Sequence, residues 1–125
     1  PLGFFPSECV DFAAWRVNQQ LGGDENDIRF DNTNPRLGNG NQWFSGWQQL
    51  GWAYGNEPKV GAVVWYDSNQ GGASAFGHVA IVKEVNNDGT YVEEGYNGNP
   101  APNDHSYYTR TVSNSTPSKF LYVQK

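Results

Sequence analysis

Two hydrophobic periods divide this chain, and the change between them constrains the fold more than any other sequence feature. Val10, Ala13, Ala14, Val17 and Leu21 recur at i, i+3, i+4, i+7 and i+11, one apolar face of a helix. Ser7 is placed to cap that helix and Pro6 lies just outside it. Gly22-Gly23 stops it. A second, shorter helix is predicted from a cap at Asn41 to about Leu50, with Trp43, Trp47 and Leu50 on one face and Gly51 at its end. That aromatic stripe reads as core packing. Beyond Trp52 the pattern becomes that of strands: Ala62–Tyr66, a long run Phe76–Val85, a hairpin turn at Asn86-Asn87-Asp88-Gly89, and a return strand Thr90–Glu94. Tyr107–Val112 and Phe120–Val123 complete an antiparallel sheet. Helices first and strands afterwards specify an α+β domain.

Length and charge then narrow the function. With 125 residues and one cysteine, the chain makes a single domain without an internal disulfide. Residues 1–6, beginning Pro1-Leu2-Gly3, read as an N-terminal extension or cloning scar, with 7–125 as the domain and a natural chain expected to continue upstream. Its 5 Trp, 7 Tyr and 7 Phe supply large side chains for the core. A net charge of -5 with no basic stripe argues against nucleic acid. A mean hydropathy of -0.71 and the lack of a long apolar run argue against a membrane span. The carboxylates of Asp24–Asp31 lack the spacing of a calcium loop and read as solvated. No metal or cofactor is expected, and the protein is expected to act as a monomer.

Chemistry centres on the only cysteine. Cys9 falls at the second helical position if Ser7 is the cap, where free N–H groups and the helix dipole favour a thiolate. A lone cysteine is otherwise a small buried hydrophobe, so a nucleophile needs a base elsewhere. His78 opens the long strand after a glycine that allows another backbone to approach, and its ordinary pKa suits a general base. His105, among Asn103, Asp104 and Ser106, reads as a solvated loop residue. A Cys/His pair also needs a group on the far ring nitrogen. The Asp88-Gly89 turn brings Glu93, Glu94 and Asn97 near the His78 end of the hairpin. Only one of the two glutamates can face His78, and Val92 suggests that it is Glu94, leaving Glu93 as an exposed carboxylate. A bulge at Gly95 would swing Asn97 to the same side.

Together, Cys9-Val10-Asp11-Phe12-Ala13-Ala14-Trp15-Arg16, Pro58-Lys59-Val60-Gly61-Ala62-Val63, Gly77-His78-Val79-Ala80-Ile81-Val82 and Glu93-Glu94-Gly95-Tyr96-Asn97 resemble a CHAP domain. That family comprises cysteine, histidine-dependent amidohydrolases and peptidases. The resemblance runs from Cys9 to the final strand. It implies a papain-like fold, with N-terminal helices packed against a curved antiparallel sheet. It also implies hydrolysis of peptidoglycan amide bonds, in the stem peptide or cross-bridge or at the muramoyl–alanine link. The protein would then be extracellular, secreted or wall-associated, a bacterial or phage lysin. Cys9 maps to the nucleophile and His78 to the base, with Glu94 and Asn97 as their polar partners. Family members commonly hold the acid and asparagine two apart, whereas Glu94 and Asn97 are three apart. Which of Glu93, Glu94 and Asn97 orients His78 therefore stays open. In such an enzyme the backbone N–H of Cys9 would be one oxyanion donor. Two other readings compete: an inactive CHAP-like wall-binding module, and an NlpC/P60-type peptidase.

Overall fold

A computed structural model describes residues 9–23, 37–71, 73, 75–96 and 107–123. Helix α1 (Cys9–Gln20) comes first, and a 3-10 turn (Gly40–Gln42) runs into α2 (Trp43–Leu50). Among the described residues the strands are β1 (Tyr54–Gly55), β2 (Val63–Tyr66), β3 (His78–Val85), β4 (Thr90–Tyr96), β5 (Tyr107–Ser113) and β6 (Lys119–Leu121). They form one sheet in the order β1-β6-β2-β3-β4-β5, antiparallel throughout. The expected α+β arrangement, helices against an antiparallel sheet, is the one adopted. Ser7, Asp24–Asp31, Asn97 and His105 lie outside the described residues.

Strand alternation divides the core between the two faces of the sheet. Val63, Trp65, Val79, Ile81 and Leu121 pack with Phe12, Ala13, Ala14 and Val17 of α1 and with Trp43 and Trp47 of α2. Val64, Tyr66, Ala80, Val82, Tyr91 and Phe120 form a second cluster from the alternate positions. Both faces are therefore closed over the central strands. α1 lies on β3 and β4, which sets the cysteine helix across the strand that begins with His78.

The second helix starts differently from its sequence signal. Asn41 is inside the 3-10 turn rather than at a cap, and its side-chain amide donates to Ser68 Oγ at 2.9 Å. Asn39 precedes the turn, its backbone N–H donating to Gln42 Oε1 at 2.8 Å. The turn is strapped to the start of β3: Asn41 N–H donates to the Phe76 carbonyl at 2.8 Å, and Trp65 Nε1 to the Gly40 carbonyl at 2.9 Å. Gly77, at φ 72°, makes this approach possible, because a Cβ there would come within 2.6 Å of the Asn41 nitrogen. A close backbone neighbour beside Gly77 was the sequence expectation, and the Gly40–Gln42 turn is that neighbour.

Candidate active site

Cys9 is the first described residue of α1, half-buried and packed against the helix-side core. Asp11 lies in the same first turn, where a carboxylate complements the helix dipole; burial pushes its pKa upward. His78 starts β3 opposite Tyr66 of β2. Its side chain is only 3 % exposed, and it emerges on the face away from Val79 and Ile81.

A continuous polar network surrounds the imidazole. His78 Nε2 lies 2.7 Å from the Tyr108 hydroxyl, with the two rings stacked at 6.1 Å. Tyr108 donates to Glu93 Oε2 at 2.6 Å. Tyr66 and Tyr91 donate to Glu93 Oε1 at 2.6 and 2.7 Å. Arg110 completes the set, with Nε at 3.2 Å and Nη2 at 3.1 Å from Oε2. Glu93 is 0 % exposed, so its charge is tolerable only because both oxygens are so fully bonded.

These bonds assign the imidazole tautomer. Burial first, and Glu93 second, push the phenols of Tyr66, Tyr91 and Tyr108 well above their ordinary pKa, so each keeps its proton. Tyr108 has one proton and directs it at Glu93. Its oxygen must therefore accept from His78, which places the ring proton on Nε2 and leaves Nδ1 unprotonated. Desolvation lowers the His78 pKa to about 4; Glu93 opposes this and Arg110 adds to it. The ring is neutral at pH 7.

Glu94 has a different environment from the one its sequence position suggested. It pairs with Ile81 across β3–β4 and points to the helix side. There Arg16 Nε of α1 donates to Oε1 at 2.8 Å and the Tyr107 hydroxyl to Oε2 at 3.0 Å. Burial, followed by the bond to Glu94, raises the Tyr107 pKa. Phe12, Tyr96 and Tyr107 surround this ion pair, Phe12 lying 5.3 Å from Tyr96 and 5.7 Å from Tyr107. The Arg16 guanidinium also lies over Phe12 and Trp15, at 5.2 and 4.8 Å.

Three sequence expectations are thus corrected. The carboxylate linked to His78 is Glu93, through Tyr108, while Glu94 holds the cysteine helix. Glu93 is fully buried, not exposed, because the face opposite the helices is itself closed. The irregularity in the β3–β4 ladder falls between Val82 and Glu84, whereas β4 pairs with β5 without interruption through Gly95 and Tyr108. Tyr66, Tyr91, Tyr108 and Arg110 were missed. Period-two spacing offered a hint, since Tyr91 with Glu93 and Tyr108 with Arg110 are each two apart on one strand.

Among the described residues, no group of three or more His, Cys, Asp or Glu side chains could hold a metal ion. No described helix is long and apolar enough to cross a membrane.

Comparison with known proteins agrees with this architecture. The CHAP domain family matches residues 3–97. A solved structure of an N-acetylmuramoyl-L-alanine amidase from Staphylococcus aureus is similar, with a TM-score of 0.73 and 24% sequence identity. The match covers 94% of this chain and 30% of the amidase chain. No curated protein matches.

Proposed function

Since the chain belongs to the CHAP domain family, we propose that it is a cysteine-dependent amidohydrolase acting on bacterial peptidoglycan. The observation that carries this reading is the family match over residues 3–97, which takes in both Cys9, at the start of the helix packed on β3, and His78, at the start of that strand. His78 Nδ1 takes the thiol proton, and the Cys9 sulfur attacks the amide carbonyl carbon. The tetrahedral oxyanion accepts the Cys9 backbone N–H. The C–N bond then breaks, and the imidazolium gives its proton to the departing amine. Water, deprotonated by His78, hydrolyses the thioester and restores the thiol.

Glu94 serves by fixing α1, and with it Cys9, to β4 through Arg16. Asn97 belongs to the proposed site on sequence pattern alone, and Asn97→Ala kinetics test its place there. The substrate is the muramoyl–alanine link or a bond within the stem peptide or cross-bridge, which sets the work outside the cell. Digestion of purified peptidoglycan followed by mass spectrometry tests the reading. Freed lactyl carboxyls identify an amidase, and new peptide amino termini an endopeptidase. An unchanged digest overturns the proposal.

A further inference from the structure

We propose that Tyr108 and Glu93 are the positioning pair for His78, a hydroxyl-bridged substitute for a carboxylate or amide placed directly on the imidazole. The inference rests on the hydrolase reading for its kinetic consequence, but its geometry stands independently.

Three observations converge on it. First, the chain of bonds runs from His78 Nε2 to the Tyr108 hydroxyl at 2.7 Å and on to Glu93 Oε2 at 2.6 Å. Both are short, and the second has an ionised acceptor, which strengthens it. Polarised by Glu93, the Tyr108 oxygen is a better acceptor for Nε2–H. Second, Gly95 makes the room. A Cβ at position 95 would lie 3.1 Å from the Tyr108 hydroxyl and 3.2 Å from the Ala80 Cβ. Any other residue there would press on the phenol that reaches His78. Third, Glu93 is held from several directions. Tyr66 of β2, Tyr91 of β4 and both Tyr108 and Arg110 of β5 converge on its carboxylate. Such a network fixes the Tyr108 hydroxyl in one place and one proton orientation.

A purely structural network would stabilise the domain without constraining the imidazole. The distinguishing feature is that, among the described residues, the imidazole of His78 joins this network directly, through Nε2. Tyr108 and Glu93 are thus positioning residues; neither has to touch substrate. In the reaction they keep the proton on Nε2 while Nδ1 collects the proton of Cys9. They also orient the transient imidazolium, so no net proton transfer to Glu93 is required.

The test joins spectroscopy with kinetics. The chain has 2 histidines, so nitrogen-15 spectra of His105→Ala protein report on the His78 ring alone. The expected spectrum at pH 7 has a protonated Nε2, an unprotonated Nδ1 and a slowly exchanging Nε2–H. Tyr108→Phe keeps the ring and removes the bridge. It should speed Nε2–H exchange and lower kcat by about 10- to 100-fold with KM nearly unchanged. An Nδ1–H tautomer in the parent protein overturns the proposal, whatever the variant does. So does a Tyr108→Phe protein with parental exchange and parental kcat. If the parent has the expected tautomer, loses its slow exchange in Tyr108→Phe, and yet cleaves no peptidoglycan, the positioning pair stands and the hydrolase reading fails.

Discussion

Glu93 and Glu94 are neighbours in sequence and opposites in environment. Glu93 lies on the sheet face away from the helices, with three phenols and a guanidinium around it. Glu94 lies on the helix face, joined to Arg16 and Tyr107. One step along a strand thus separates a carboxylate linked to the imidazole from one that ties down the helix that begins with Cys9. The comparison teaches that alternation along one strand sends adjacent carboxylates to separate polar networks on the two faces of the sheet. His78 is supported by the tyrosine-lined face and Cys9 by the helix-lined face.

The largest effect falls on neither glutamate but on the group they serve. Cys9→Ser should keep the fold and lose essentially all peptidoglycan hydrolysis, because an alcohol is a much poorer nucleophile than a thiolate. Iodoacetamide should do the same, while EDTA should leave turnover largely unchanged. A wall-lysis assay on the variant and on treated protein measures all of this. Full turnover after alkylation, or loss with EDTA alone, would remove the cysteine from the mechanism.

Glu93 comes next. Glu93→Ala leaves buried phenols without their acceptor and Arg110 without its carboxylate. Breaking a buried pair of this kind typically costs about 3–5 kcal/mol. Urea unfolding should register a loss of that order, and turnover in the folded fraction should fall as it does for Tyr108→Phe. If stability drops while kcat per folded molecule holds, the tyrosine-lined face supports structure alone.

The same face predicts a pH dependence. The folded His78 pKa is about 4 against an ordinary 6.5, so the unfolded chain binds more protons between those values. Stability from this group is complete above about pH 6.5 and falls as pH drops through 4. A shift of that size corresponds to about 3 kcal/mol. Unfolding free energies measured at several pH values between 7 and 4 should decline, and His78→Gln should flatten that part of the decline.

Much of this was legible before any coordinates. The i, i+3, i+4 spacing identified α1, and the Asp88-Gly89 turn identified the β3–β4 hairpin, because both signals are local. Alternation also separated Glu93 from Glu94. It could not say which face was buried, since both are. Val92 is only half-buried, whereas Tyr91 beside Glu93 is 0 % exposed, so the supposed marker of the inward side was the weaker one. The network around Glu93 draws on β2, β4 and β5, and such convergence depends on strand order. No single segment encodes it.

Glu94 should give the smallest effect, and for a stated reason. Arg16 is 32 % exposed in its side chain while Glu94 is 7 % exposed, so the pair is partly screened. Glu94→Gln keeps an acceptor for Arg16 and removes the charge. The expected stability loss is about 1 kcal/mol, at the upper end for a pair open to water on one side. Turnover should fall by less than about tenfold, because α1 remains packed through Phe12, Ala13, Ala14 and Val17 even when its tether weakens. Measured beside Glu93→Ala under the same conditions, this variant tests the division of labour between the faces. If Glu94→Gln cripples kcat and Glu93→Ala does not, the carboxylate that matters to His78 is on the helix side, and the positioning pair must be reassigned.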